Sequence, residues 1–146
     1  MDRAKFIKTL GCAIIGTPLA MSLLNSCESI YYVQTKRVDG KFIVKKSEFI
    51  QTKGKSTSYR NFVLINKAVG GYPICLYRTD EDTYVASLLQ CTHQGCELDV
   101  GGGIYTCPCH GSEFSTKGEV LQGPAEKHLK TFPITTDHEN IYINLV

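Results

Sequence analysis

Between Cys91 and Ser112 the chain reads Cys-Thr-His-Gln-Gly-Cys, then ten further residues, then Cys-Pro-Cys-His-Gly-Ser. These two boxes constrain the fold more than any other feature. They hold four of the seven cysteines and two of the four histidines. Thiolate and imidazole are the ligands of zinc and of iron–sulfur clusters. Such a site takes four protein ligands, and the stretch offers Cys91, His93, Cys96, Cys107, Cys109 and His110. A site using one histidine from each box needs two cysteines and leaves one thiol per box. Two spare thiols facing each other would form a disulfide in an oxidising compartment. Spacing alone leaves open which cysteines are spare. A structural zinc site with Cys and His ligands is the competing reading, but it gives the two extra cysteines at matched positions no role.

The two boxes resemble the ligand loops of Rieske iron–sulfur proteins, and Gly123-Pro124-Ala125 resembles that family's proline loop. The resemblance covers the later part of the chain well and the earlier part in general layout. It implies a role for each matching position. Cys91 and Cys107 would hold one iron of a single [2Fe–2S] cluster, and His93 and His110 the other. Cys96 and Cys109 would form a disulfide clamping one loop to the other. Gly95 and Gly111 would let backbone amides approach the sulfides where a Cβ would interfere, and Pro108 would stiffen the second loop.

Two neutral imidazoles in place of two thiolates make such a site less negative. Rieske centres accordingly span about −150 to +300 mV, against about −400 mV for all-cysteine plant-type clusters. Ser112 stands where the family uses a serine hydroxyl to hydrogen-bond the cluster and raise the potential further. High-potential members carry a tyrosine two residues on. Phe114 stands there in this chain, which implies a potential below the top of the range. Histidine ligands also imply a potential that falls as pH rises into the alkaline range, because oxidised iron loosens the imidazole protons more than reduced iron does.

At the other end, Arg3, Lys5 and Lys8 precede an apolar run from Leu10 to Leu24, interrupted by Pro18 and followed by Asn25-Ser26-Cys27. A basic start, a short apolar run and a small residue before a cut describe a secretory signal. A cysteine directly after Leu-Asn-Ser resembles the lipobox of bacterial lipoproteins. We expect residues 1–26 to be a signal peptide that takes Cys12 with it. The mature chain, 27–146, then begins at an acylated Cys27 that tethers it to a membrane of the bacterial cell envelope, on the periplasmic or extracytoplasmic face. An uncleaved transmembrane anchor needs about 20 apolar residues, and the run from Leu10 to Leu24 has 15. Export and a disulfide agree with each other.

The body of the chain has the periodicity of strands. Ile30 to Gln34 and Lys41 to Ile50 read as strands joined by Asp39-Gly40, a hairpin signal. Gln51 to Ser58 reads as a polar loop and Tyr59 to Asn66 as a strand. Gly70-Gly71 is a turn before a strand from Tyr72 to Arg78, and Asp80-Glu81-Asp82 is a turn before Thr83 to Gln90. Gly101-Gly102-Gly103 marks a tight connection between the boxes. Lys127 to Thr135 and Asn140 to Val146 complete the set. No stretch of the mature chain has helical periodicity. The expectation is an all-β fold of stacked antiparallel sheets with a smaller loop-rich lobe, about 88–126, carrying the metal site. Cys75 reads as a buried small hydrophobe, and His128 and His138 as ordinary surface groups.

Charge is unevenly spread. From Lys36 to Lys67 nine Lys/Arg accompany only Asp39 and Glu48, whereas from Asp80 onward three Lys/Arg accompany ten acidic residues. The plain reading is a solvated surface. The sharper one sets the basic half against an anionic membrane and the acidic lobe against a basic redox protein such as a cytochrome. No arginine–aromatic pattern suggests nucleic acid, and no nucleophile–base pair, phosphate loop or flavin or nicotinamide fingerprint suggests a separate catalytic site. Too little chain follows the boxes for the catalytic domain of a Rieske oxygenase. The expected function is one-electron transfer by an exported, membrane-tethered carrier or small redox subunit. The alternative is the Rieske subunit of a quinol-oxidising complex of the quinol–cytochrome c reductase type. A redox-inert zinc-binding lipoprotein stands third.

Overall fold

The computed structural model describes residues 30–145, so the expected leader and Cys27 lie outside it. Strand β1 (Arg37–Val38) turns back through Asp39-Gly40 into β2 (Lys41–Lys45). Both turn residues have positive φ, 48° and 74°, as a two-residue type I′ hairpin requires. The partner of β2 is therefore Arg37–Val38 rather than the expected Ile30 to Gln34. That earlier segment makes a single parallel bridge, Tyr32 with Leu64. The expected strand from Lys41 to Ile50 ends at Lys45, and a 3-10 turn (Lys46–Phe49) follows. The expected loop at Gln51 to Ser58 is instead a hairpin of β3 (Ile50–Lys53) and β4 (Ser56–Tyr59).

The next strands are β5 (Phe62–Val69), β6 (Tyr72–Asp80) and β7 (Thr83–Leu88), joined by the Gly70-Gly71 and Glu81-Asp82 turns. Four short strands follow: β8 (Asp99–Gly101), β9 (Ile104–Thr106), β10 (Glu113–Ser115) and β11 (Val120–Gln122). The tail gives β12 (Thr131–Phe132), β13 (Ile134–Thr136) and β14 (Asn140–Asn144). Pro133 divides what read as one strand, Lys127 to Thr135, because it has no N–H to donate to a ladder. The fold is antiparallel all-β in three layers: β1-β2-β14-β13, β12-β7-β6-β5, and β11-β10-β9-β8.

The middle layer explains the long apolar runs of β5 and β6. A sheet covered on both faces needs apolar residues at successive positions. Val63, Ile65, Ile74, Leu76, Ala86 and Leu88 point to one side and pack on Phe42, Val44, Ile141 and Ile143 of the first layer. Phe62, Leu64 and Cys75 point to the other side and pack on Leu98, Tyr105, Phe114 and Leu129 beneath the boxes. The register agrees, since Leu64 lies opposite Cys75 and Cys75 opposite Ser87. The first layer is covered on one face only, so β2 alternates exposed Lys41, Ile43 and Lys45 with buried Phe42 and Val44.

Candidate metal centre

Strand β7 runs straight into the first box, and the second box lies between β9 and β10. The two loops have matching backbones. Cys91 N–H donates to the Cys96 carbonyl at 2.8 Å and Gly95 N–H to the Cys91 carbonyl at 2.9 Å. In the second loop Cys107 N–H donates to Ser112 at 2.8 Å and Gly111 N–H to Cys107 at 2.9 Å. Each loop thus closes on its first cysteine and needs a left-handed residue at its fifth position. Gly95 and Gly111 supply it, with φ of 80° and 75°.

A disulfide joins Cys96 to Cys109, with Cα atoms 6.5 Å apart. The sulfurs of Cys96, Cys107 and Cys109 lie within 4.8 Å of one another, but two of these are spent in the disulfide. The donors left in the boxes are Cys91, Cys107, His93 and His110. Cys91 and Cys107 are each 2% exposed. Burial pushes the Cys107 thiol up, yet a hydrogen bond from Cys91 and the N–H groups of Cys109 and His110 outweigh it and bring Cys107 below the ordinary thiol value. Asp99 opposes this weakly.

His93 and His110 are exposed, edge to face with ring centroids 5.0 Å apart. Two buried thiols and two exposed imidazoles fit a cluster whose irons have different ligand types. A single tetrahedral zinc ion gives this division between buried and exposed donors no reason.

The surrounding contacts come from three places. Ala125 N–H donates to Ser112 Oγ at 3.0 Å, and Ser112 is fully buried. Thr92 Oγ1 donates to the Lys127 carbonyl at 2.6 Å. The second box is thus fastened to the Gly123-Pro124-Ala125 loop, whose Gly123–Pro124 peptide is cis, and the first box to Lys127 two residues beyond it. Gln122 Nε2 donates to the Gly111 carbonyl at 3.1 Å, and the Tyr72 hydroxyl to the Gly95 carbonyl at 2.6 Å. Phe114 is fully buried opposite Tyr105. Sequence reading singled out Ser112 and Phe114 but not Tyr72, Thr92 or Gln122. For Thr92 the available signal was its place inside a box.

Two plain expectations hold and gain detail. His128 is exposed, and its Nδ1 accepts the Val120 N–H at 3.1 Å. Cys75 is buried as expected but has a polar neighbour, the Tyr105 hydroxyl. Burial first, and Cys75 next, push that hydroxyl far above its ordinary value. His138 lies apart, in an open groove of about 590 Å³ lined also by Tyr59, Arg78 and Tyr84.

Residues 43–133 match the family model of the Rieske [2Fe-2S] domain. The cytochrome b6-f complex iron-sulfur subunit of Synechococcus sp. (strain JA-2-3B'a(2-13)) is 42% identical over 53 residues, covering 35% of this chain and 31% of its own. The putative Rieske 2Fe-2S iron-sulfur protein YhfW of Bacillus subtilis (strain 168) is 55% identical over 42 residues, 27% of this chain and 8% of its own. The match thus spans at most about a third of these curated relatives. Among solved structures, the cyanobacterial plasma membrane Rieske protein PetC3 from Synechocystis PCC 6803 superposes with a TM-score of 0.51 at 30% identity. That superposition covers 57% of this chain and 86% of that one. Naphthalene 1,2-dioxygenase, at 20% identity, shares the fold with a TM-score of 0.55, over 73% of this chain and 26% of its own.

Proposed function

Because the chain belongs to the Rieske [2Fe-2S] family, we propose that it relays single electrons through one cluster held by Cys91, Cys107, His93 and His110. When bound, a [2Fe–2S] cluster takes up and gives up one electron at a time. Cys91 and Cys107 would hold it as thiolates, and the exposed His93 and His110 would hold it where a redox partner can approach. The Cys96–Cys109 disulfide ties the two loops together. Ser112 accepts the Ala125 N–H and would offer its hydroxyl hydrogen to a cluster sulfur. The observation that carries the reading is the donor set left once the disulfide is formed: two buried thiols and two exposed imidazoles whose rings touch. Electron paramagnetic resonance of the dithionite-reduced protein tests it. A rhombic signal with nitrogen couplings is expected. A colourless, silent protein containing zinc would refute it.

Membrane tethering through an acylated Cys27 completes the reading, with the domain on the extracytoplasmic face. It is supported by the leader pattern alone, and the mass of the mature N-terminal peptide tests it. The partner is a redox protein of cytochrome type. A role as the Rieske subunit of a quinol-oxidising complex is favoured by the relatives named as cytochrome b6-f subunits and by the exposed histidines. Quinol added with and without an inhibitor of quinol oxidation separates the two.

A further inference from the structure

Two side chains from outside the boxes meet them at equivalent atoms. The Tyr72 hydroxyl donates to the Gly95 carbonyl at 2.6 Å, and Gln122 Nε2 to the Gly111 carbonyl at 3.1 Å. Gly95 and Gly111 are each the fifth residue of a six-residue loop whose internal hydrogen bonds match. The donors come from unrelated places. Tyr72 opens β6 in the middle layer and packs against its core. Gln122 ends β11 of the small sheet. Neither donor is part of a box.

A trans peptide is planar, with its C=O and N–H on opposite sides. Fixing the Gly95 carbonyl on Tyr72 therefore turns the Cys96 N–H directly away from Tyr72. Fixing the Gly111 carbonyl on Gln122 does the same for the Ser112 N–H. Neither of these amides donates to a backbone carbonyl among the described residues. Amides near an iron–sulfur site stabilise the reduced, more negative state.

On the reading that the four donors hold a cluster, we propose that Tyr72 and Gln122 are matched positioning residues. They aim the Cys96 and Ser112 amides at the cluster sulfurs and so raise the reduction potential. The hydroxyl dipole of Tyr72 acts in the same sense, because its positive end points toward the box. The two are unequal. The Tyr72 bond is short and half-buried, on a ring fixed by packing. The Gln122 bond is longer and exposed, so water replaces it readily.

The test uses the cluster-loaded protein and its Tyr72→Phe, Gln122→Leu and double variants. Voltammetry reads the potential, and pulsed resonance after exchange into deuterated water reads the couplings of exchangeable protons. Tyr72→Phe is expected to weaken electron binding about threefold to tenfold, where tenfold is about 59 mV for one electron. Gln122→Leu should act in the same direction and less. The exchangeable-proton couplings should shrink in the same order. Tyr142→Phe is the control, since it removes a hydroxyl whose partner, Asp137, lies outside the boxes. The proposal is overturned by an unchanged potential in Tyr72→Phe with its couplings intact, or by an equal drop in Tyr142→Phe. Failure of the ligand assignment shows separately, as a wild-type protein without nitrogen couplings, and overturns both.

Discussion

Replacing Ser112 by Ala separates the fastening its hydroxyl makes from the cluster hydrogen bond proposed for it. Its oxygen accepts the Ala125 N–H at 3.0 Å in a fully buried setting. Its hydrogen has no protein acceptor among the described residues, which leaves it for the sulfur side. Loss of the oxygen strands a buried N–H, at a cost of about 1–3 kcal/mol of stability. Loss of the hydrogen removes a donor that binds the reduced state more strongly than the oxidised one. A hydrogen bond to a charged group contributes about 1.5–3 kcal/mol. If about a third to a half of that depends on the added electron, the difference is about 1 kcal/mol. With about 1.36 kcal/mol per tenfold and about 59 mV per tenfold for one electron, the potential should fall by about 40 mV. Voltammetry on the immobilised protein reads the potential, and urea unfolding of the same sample reads stability. Ser112→Thr keeps the hydroxyl and should keep the potential, although its methyl overpacks the site by about 1–3 kcal/mol. A Ser112→Ala protein that loses stability but holds its potential would refute the electronic role and leave only the fastening to Ala125.

Phe114→Tyr places a hydroxyl two positions beyond Ser112, and the potential should rise; a fall, measured on the same electrode, would remove Phe114 from the argument. Replacing both Cys96 and Cys109 by Ser opens a bridge across 13 positions, which chain entropy puts at about 3 kcal/mol; the urea midpoint should drop accordingly and iron should be lost faster to a chelator. Far from the boxes, the Tyr142 hydroxyl and the Asn140 and Glu139 amides pull Asp137 down to about 2 from an ordinary 3.8. A depressed carboxylate stabilises the fold fully above its unfolded value and loses that contribution as pH falls through the folded one. Tyr142→Phe should therefore move the Asp137 titration upward by nuclear magnetic resonance, and acid unfolding should begin at higher pH.

The site was legible because its pattern is local. Each box closes on itself within six residues, so its cysteines and histidine, its glycine and, in the second box, the serine are all visible in a short window. Tyr72 was not, because it reaches Gly95 across 23 positions and reads in sequence as an ordinary aromatic at the start of a strand. The fold was legible where one face is wet, as in β2, and where both faces are dry, as in β5. It was misread where neither face is buried. The hairpin from Ile50 to Tyr59 is exposed or nearly so throughout, so no apolar alternation announces its strands. Ile30 to Gln34 erred in the opposite way. It has strand composition, but only one bridge holds it to β5.

The middle sheet serves two masters, and this bears on any attempt to cut the molecule down. Phe62, Leu64 and Cys75 make part of the floor under Cys91 and Cys107, yet they are separated from the boxes in sequence and belong to strands whose alternate residues hold the other half together. A minimal peptide from 88 to 126 would bring the whole ligand set and leave that floor behind. Its iron would meet water from below, and its leucines and aromatics would seek one another between molecules. A smaller electron carrier built from this chain has to keep β5 and β6 beneath the boxes.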